Sequence, residues 1–260
     1  MNFIVLLSNR LLKIFGIITK SLSYIFHFFF PKKRFTIPLH AESLFSRKTL
    51  SKVPKKIWQT NYTNVVTLPV YLNYLCNRVL AYDYEYNYVS TEARDAFLKE
   101  NASDALYQAF SQLTDGAAQA DVWRLFILNH TGGVYMDIDA HIVWPLSKII
   151  KPTDSELFLR AKRGHINNYF IASAPSNPIL SDALEIILSN IQKKKIEGGV
   201  FEMTGPTVLN QAIADKEITS RLYKYTAIQG SFTNEYFQYM DKPRGKWTHA
   251  KNEDLLKDKI

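Results

Sequence analysis

The first thirty residues differ from the rest of the chain: Leu, Ile and Phe dominate, and polar residues recur at helical spacing. On a helical wheel of about 100° per residue, Asn2, Asn9, Lys13, Gly16, Lys20, Ser23 and His27 fall into one narrow stripe on an otherwise apolar cylinder. Its longest run without Lys or Arg, 21–31, holds 11 residues. A helix that spans a bilayer needs ~20. The pattern predicts an amphipathic helix in the membrane interface, with the Phe cluster in lipid and the lysines snorkelling. Lys32, Lys33 and Arg34 would then meet anionic headgroups. A span would bury Lys13 and Lys20 at about 2.5–3.5 kcal/mol each, and no small-residue cleavage site marks a signal peptide. The competing reading is a helix packed on the protein itself or on a second subunit.

Residues 35–52 read as a polar connector and 53–260 as one domain. The run 56–59 has an apolar centre and ends in turn formers at Asn61 and Asn64, which suits a first core strand. Segment 82–88 alternates strictly, with Tyr82, Tyr84, Tyr86 and Tyr88 on one face and Asp83, Glu85 and Asn87 on the other, as a half-buried strand does. Thr91 is placed to cap a helix through Leu98, and Ser103 one through Leu113. A third helix starts at Asp115, runs to about Asn129 and stops at Gly132-Gly133. Strands are expected at 134–138 and 142–144. Strand, helices and strand in this order predict an α/β architecture with a mainly parallel sheet.

The chain of 260 residues is 47% hydrophobic and 22% charged, enough for one sizeable core and incompatible with disorder. A single cysteine, Cys76, excludes an intramolecular disulfide framework and thiolate metal clusters, and fits a reducing compartment. The formal charge of +8 resembles a nucleic-acid signal until it is mapped. Residues 1–34 carry +6 and 35–56 another +4, which leaves −2 on the remainder. A basic arm on a near-neutral body argues against nucleic acid as a partner.

The densest chemistry lies in Ala117-Ala-Gln-Ala-Asp121-Val-Trp-Arg124 and Gly132-Gly-Val-Tyr-Met-Asp137-Ile-Asp139. Asp121 and Arg124, three apart, share a helix face. Asp137 and Asp139, two apart at the end of an apolar strand, point to one side of an extended chain. Two such carboxylates repel unless a cation lies between them, and Mn²⁺ or Mg²⁺ prefers oxygen ligands. Strand carboxyl ends are where open α/β sheets bind ligands.

The stretch A-x-x-A-D-x-x-R, followed eight residues on by G-G-V-Y-M-D-I-D-A, resembles glycosyltransferase family 32, the sugar transferases with the Asp-x-Asp motif. The opening Val53-Pro-Lys-Lys-Ile57-Trp58-Gln-Thr60 is similar to the family's first strand, with Trp58 where His is common. Segments 169–178 and 204–206 resemble its later parts, and beyond Leu209 the likeness fades. It implies a GT-A fold, a nucleotide-sugar donor and a divalent cation, Mn²⁺ or Mg²⁺. By the same resemblance Asp139 binds the metal, while Asp137 meets the donor and the metal's water. Asp121 and Arg124 hold the donor sugar's hydroxyls, and Ile57, Trp58 and Gln59 lie near the base. Tyr135, Asn168, Gly205 and Pro206 join the donor site, and His249 is the candidate for the family's C-terminal metal-side histidine.

The function implied is retaining transfer of a hexose, from a UDP-sugar or GDP-mannose, to a glycan or glycolipid acceptor. Together with the anchor this points to the cytoplasmic face of a bacterial inner membrane and to capsule or lipopolysaccharide synthesis. A nucleotidylyltransferase would want a Gly-rich basic loop after the first strand, and 58–68 has no Gly, Lys or Arg. A non-catalytic, membrane-bound sugar-nucleotide or lipid-binding protein with a decayed site is the alternative, against which the four intact residues argue.

Overall fold

The computed structural model describes residues 2–45, 50–243, 245–249 and 251–257, so 46–49 of the expected connector lie outside the described residues. In chain order the elements begin with α1 (Asn2–Phe29), β1 (Phe35–Thr36), β2 (His40–Ala41), β3 (Lys56–Thr60), β4 (Val65–Val66), α2 (Leu68–Leu80) and β5 (Glu85–Val89). There follow α3 (Thr91–Asn101), α4 (Asp104–Gln112), α5 (Gly116–Thr131), β6 (Gly133–Met136), β7 (Ala140–Ile142), α6 (Leu146–Ile149), β8 (Glu156–Arg160) and β9 (Ile166–Ser173). The chain then forms α7 (Pro178–Gln192), α8 (Gly199–Met203), α9 (Pro206–Ala212), β10 (Ser220–Leu222), β11 (Ala227–Gln229) and α10 (Glu235–Gln238).

Seven strands form the main sheet in the order β10-β8-β9-β6-β3-β5-β2. Pairings of β10 with β8, β6 with β3 and β3 with β5 are parallel, and only β9 and β2 run against the common direction. The mainly parallel α/β sheet expected from the sequence is present, with helices on both faces. The stretch 35–52 is more than a connector, because His40 and Ala41 pair with Asn87 and Tyr86 at the sheet edge.

Alternation along the strands divides the core in two. Ile57, Tyr86, Val134, Leu159 and Phe170 enter one layer with Tyr74 of α2. Tyr135, Phe158 and Ile171 enter the other, with Trp123 and Leu128 of α5 and Ile187 of α7. Both faces of β6 are covered, which is why Gly-Val-Tyr-Met carries no polar alternation.

The helix α5 delivers the motif. Asp115 caps it, accepting from the amides of Ala117 and Ala118 at 2.8 and 3.0 Å, and Gly132 ends it at φ +72°. A side chain at Gly132 would lie 2.8 Å from Pro54 and one at Gly133, φ +115°, 2.7 Å from the Lys56 carbonyl. The two glycines therefore set the junction between α5 and β6. The expected strand 134–138 stops at Met136, and 142–144 is replaced by Ala140–Ile142. The cause is a turn in which Ala140 N–H donates to the Asp137 carbonyl, 3.0 Å. Asp137 and Asp139 thus sit on a turn rather than at an extended strand end.

The orientation of α1 reverses one expectation. Its polar stripe faces the protein: Asn9, Gly16, Ser23 and His27 are buried. Ser8 Oγ donates to the Val143 carbonyl (2.7 Å), Asn9 Nδ2 to Lys224 O (2.6 Å) and Lys20 Nζ to Gly230 O (2.9 Å), while Leu68 N–H donates to His27 Nε2 (3.1 Å). Lys20 therefore does not snorkel outward. Arg34, expected at headgroups, instead holds Asp241 through Nε and Nη2, each at 2.6 Å. Packing on the body is realised through the polar face, and the apolar face is left open, with Phe3 78% and Phe28 79% exposed. Along its length α1 is apolar and long enough to cross a membrane by those two criteria.

Gly16 lies where a Cβ would come within 3.0 Å of Phe232 and of the Ser231 backbone. Gly16→Leu is expected to lower Tm through overpacking, by about 1–3 kcal/mol of stability. Ile17→Ser, on the open face, should leave Tm unchanged in detergent; calorimetry of the three proteins checks both outcomes.

Candidate active site

Asp121 and Arg124 emerge from α5 beneath the turn that carries Asp137 and Asp139, all at the carboxyl end of β6. Arg124 Nη2 lies 3.2 Å from Asp121 Oδ1 and 3.3 Å from Asp137 Oδ1. Its Nη1 donates to the Asn168 carbonyl at 2.8 Å, and its guanidinium sits 4.5 Å from the centre of the Tyr135 ring. Both Asp121 and Arg124 are 5% exposed, so this pair belongs to the interior.

Each carboxylate is further held. Asp121 accepts from Asn168 Nδ2 (2.9 Å) and Thr204 Oγ1 (3.1 Å). Tyr135 Oη donates to Asp137 Oδ1 at 2.8 Å. A single nitrogen, Gln229 Nε2, donates to Asp137 Oδ2 at 3.0 Å and to Asp139 Oδ1 at 3.1 Å. Gln238 Nε2 reaches Asp139 Oδ2 at 3.4 Å, and the Gly230 amide donates to the Asp139 carbonyl at 3.1 Å.

These groups open into a cavity of about 540 Å³, within the usual range of small-molecule sites. Asp121, Arg124, Tyr135, Asp137, Asp139, Asn168, Gly205 and Pro206 all line it. Gly205 fits because a side chain there would meet the Phe201 carbonyl at 2.9 Å.

Ile57, Trp58 and Gln59 do not line the cavity. Ile57 is fully buried in the core layer that holds Tyr74 and Tyr86. Trp58 donates from Nε1 to the Gly132 carbonyl (3.0 Å) and packs edge-on against Trp123. Gln59 donates to the Asp137 carbonyl (3.0 Å) and accepts from Tyr86 Oη, so it supports the Asp137 turn from behind. The cavity is reached three residues later, by Thr60, Asn61 and Tyr62. Ile57, Trp58 and Gln59, expected near a base, thus stand behind the cavity wall, because β3 is central in the sheet and covered on both faces.

His249 lies apart from the carboxylate pair. Its Nε2 is 2.6 Å from Glu235 Oε1, and Lys246 Nζ is 2.9 Å from Oε2 of the same carboxylate. Of these three, Glu235 and Lys246 line the cavity. The sequence reading omitted Gln229, Gln238, Thr204 and Arg94. Gln229 and Gln238 stand in the region where the likeness fades, about a hundred residues from the carboxylates they meet.

Burial pushes the Asp121 carboxyl up to about 7. Asp139 is raised to about 7 by burial and then by the charge of Asp137. Arg124 remains a cation: burial opposes its charge, but Asp137 and then Asp121 hold it above the ordinary arginine range. Among the described residues no group of three or more His, Cys, Asp or Glu gathers around a metal-sized point. Asp137 Oδ2 and Asp139 Oδ1 nevertheless converge on the spot where the Gln229 amide donates to both. A hard divalent cation fits this all-oxygen pair, with its other positions left to water and ligand oxygens.

Residues 69–156 match the family model described as glycosyltransferase sugar-binding region containing DXD motif. All four motif residues fall inside that span. A stretch of 121 residues, 45% of this chain, is 30% identical to a protein named Toxin from Photorhabdus asymbiotica subsp. asymbiotica, of whose length it spans 4%. Among solved structures the chain is similar to the PaToxG glycosyltransferase, with 19% identity, a TM-score of 0.49 and coverage of 62% of this chain and 68% of that one. It is also similar to the UDP-bound glycosyltransferase domain from the YGT toxin, with 15% identity, a TM-score of 0.41 and coverage of 57% and 54%. Over residues 69–156 the chain is therefore similar to glycosyltransferases that carry a DXD-type sugar-binding region.

An acid whose pKa is raised in the folded state takes up protons on folding between about pH 4 and 7, so its contribution to stability falls as pH rises through that window. Asp139→Asn removes this dependence. In metal-free buffer the variant should match the native protein near pH 4 and exceed its Tm increasingly as pH rises to 7. Tm against pH for the two proteins is the check, since the opposite contribution of the buried, lowered His141 is common to both.

Proposed function

We propose that this chain moves a hexose, with retention of configuration, from a nucleotide-sugar donor to a glycan or glycolipid acceptor. The donor is a UDP-sugar, with GDP-mannose as the second choice. The reaction uses Mn²⁺ or Mg²⁺ and takes place at the cytoplasmic face of a bacterial inner membrane, in capsule or lipopolysaccharide assembly. The observation that carries the reading is the convergence of Asp137 and Asp139 on one point of a cavity walled by Asp121 and Arg124.

When bound, the cation neutralises the charge that a departing nucleoside diphosphate develops. The protein's own residues do the positioning. Gln59 and Gly230 hold the two ends of the Asp137–Asp139 turn through its carbonyls, and Tyr135 fixes the Asp137 carboxylate. Asp121 and Arg124 offer an acceptor and a donor side by side, which suits sugar hydroxyls, while Thr204 and Asn168 keep Asp121 from turning away. Positioning of this kind is worth much of a transferase's rate.

The membrane reading is supported by the open face of α1. Its exposed Phe, Ile and Leu residues form a patch of a kind that soluble monomers avoid, and exposed Lys32 and Lys33 follow it directly. The occupant that meets both features is an anionic bilayer surface, with α1 lying flat and its polar side on the body. A spanning α1 would carry the body segments bonded to Ser8 and Asn9 into hydrocarbon.

Thermal unfolding of the full chain in detergent, with UDP, GDP and their sugars and with or without Mn²⁺, tests the donor. A ligand at about 100 Kd contributes roughly 2.7 kcal/mol. One nucleotide should raise Tm only with Mn²⁺, and Asp139→Ala should abolish that rise while remaining folded. Absence of any nucleotide shift in the native chain would sink the reading. Separately, a chain with both Phe28→Ser and Phe29→Ser should sediment less with phosphatidylglycerol vesicles and keep its nucleotide shift.

A further inference from the structure

Arg94 projects from α3 to line the same cavity, yet it is 2% exposed and forms no ion pair among the described residues. Its Nη2 has two long, neutral contacts, Thr91 Oγ1 at 3.3 Å and Gln119 Oε1 at 3.4 Å, and its buried Nε has no acceptor. Arg124, in the same cavity, lies between two carboxylates. The contrast matters because a buried cation without an anion is costly. Burial, with a further contribution from the charge of Arg124, pushes the Arg94 guanidinium down to about 10, so it stays charged at neutral pH.

We propose that Arg94 binds the phosphate oxygens of the donor's nucleoside diphosphate. This inference rests on the nucleotide-sugar reading above. The planar fork of donors on Arg94 matches phosphate oxygens bidentately, which the single weak contacts to Thr91 and Gln119 do not exploit. The cavity lining carries both charges that a diphosphate and its cation need. Asp137 and Asp139 present negative charge, where a divalent cation fits. Arg94 supplies positive charge; its contact Gln119 and the cavity-lining Gly116 and Ala117 belong to the first turn of the sixteen-residue helix α5, whose dipole is positive at that end. A diphosphate would neutralise the unpaired guanidinium while it shares the cation, and the ligand would supply the acceptors that the folded chain lacks.

Binding of UDP, UDP-glucuronate and uridine to the full chain in detergent with Mn²⁺, by titration calorimetry for the nucleotides and by ligand NMR for uridine at millimolar concentration, tests this. Arg94→Met keeps the shape of the stem and removes the charge. It is expected to weaken UDP binding at least tenfold and leave uridine unchanged. The ligand-free Tm should hold or rise, because an unpaired buried charge has been removed. Arg94→Lys keeps the charge without the fork and should fall in between; it carries the test if Arg94→Met does not fold. UDP affinity within twofold of native, or an equal loss for UDP and uridine, would overturn the assignment. So would a loss confined to UDP-glucuronate, which would mean that Arg94 reads an acidic sugar. If the native chain binds no nucleotide at all, the donor reading fails and this assignment falls with it, whereas a native chain that binds UDP and an Arg94→Met that binds it equally overturn this assignment alone.

Discussion

Three aspartates crowd the end of one strand, and the arrangement holds because Arg124 is buried among them. Its guanidinium touches Asp121 and Asp137, stacks over Tyr135 and donates to the Asn168 backbone, so α5, the end of β6 and β9 are fixed by one cation. Without it, the burial of Asp121 would leave an uncompensated acid in the core. Asp139 forms no ion pair among the described residues, and the neutral amides of Gln229 and Gln238 donate to it. The Asp137–Asp139 pair is therefore held by the fold with an amide between its carboxylates, which is the condition in which a cation adds most.

Much of this was legible in the chain. Asp115 and Gly132 are local signals, and they bound α5 because capping depends on neighbours in sequence. The tyrosines at 86 and 88 declare their strand for a similar reason, since alternation is local, although the strand begins only at Glu85. Asp121, Arg124, Asp137 and Asp139 could be grouped because one helix and one strand, joined by two glycines, place them together.

What escaped was set by distance or by context. Gln229 and Gln238 approach the carboxylates from a distant strand and helix, and an isolated glutamine carries no pattern. Arg94 sits in the polar sequence Thr-Glu-Ala-Arg-Asp, which reads as a solvated helix start; only the packing of α3 on α5 buries it. Trp58 invited a role in stacking on a base, but the sheet order puts β3 between β5 and β6 and turns that ring into the core. The helical wheel of α1 identified the stripe correctly and gave no sign: nothing in the spacing says whether the polar or the apolar side meets the body.

The inner side of α1 touches the wall of the cavity. Lys20 donates to the carbonyl of Gly230, Tyr24 accepts from Asn234, and Gly16 lies against Phe232. The same short segment carries Gln229 and Gln238 to the aspartates. A shortened chain that begins after this helix would not be a simple water-soluble version of the catalytic body. It would uncover Phe232 and Phe237, both buried beside α1, and strip two polar groups of their partners next to the site. One greasy surface would be exchanged for another, and a purified fragment of that kind could be inert for reasons unrelated to its chemistry. Detergent around the intact chain is the gentler route to a soluble enzyme.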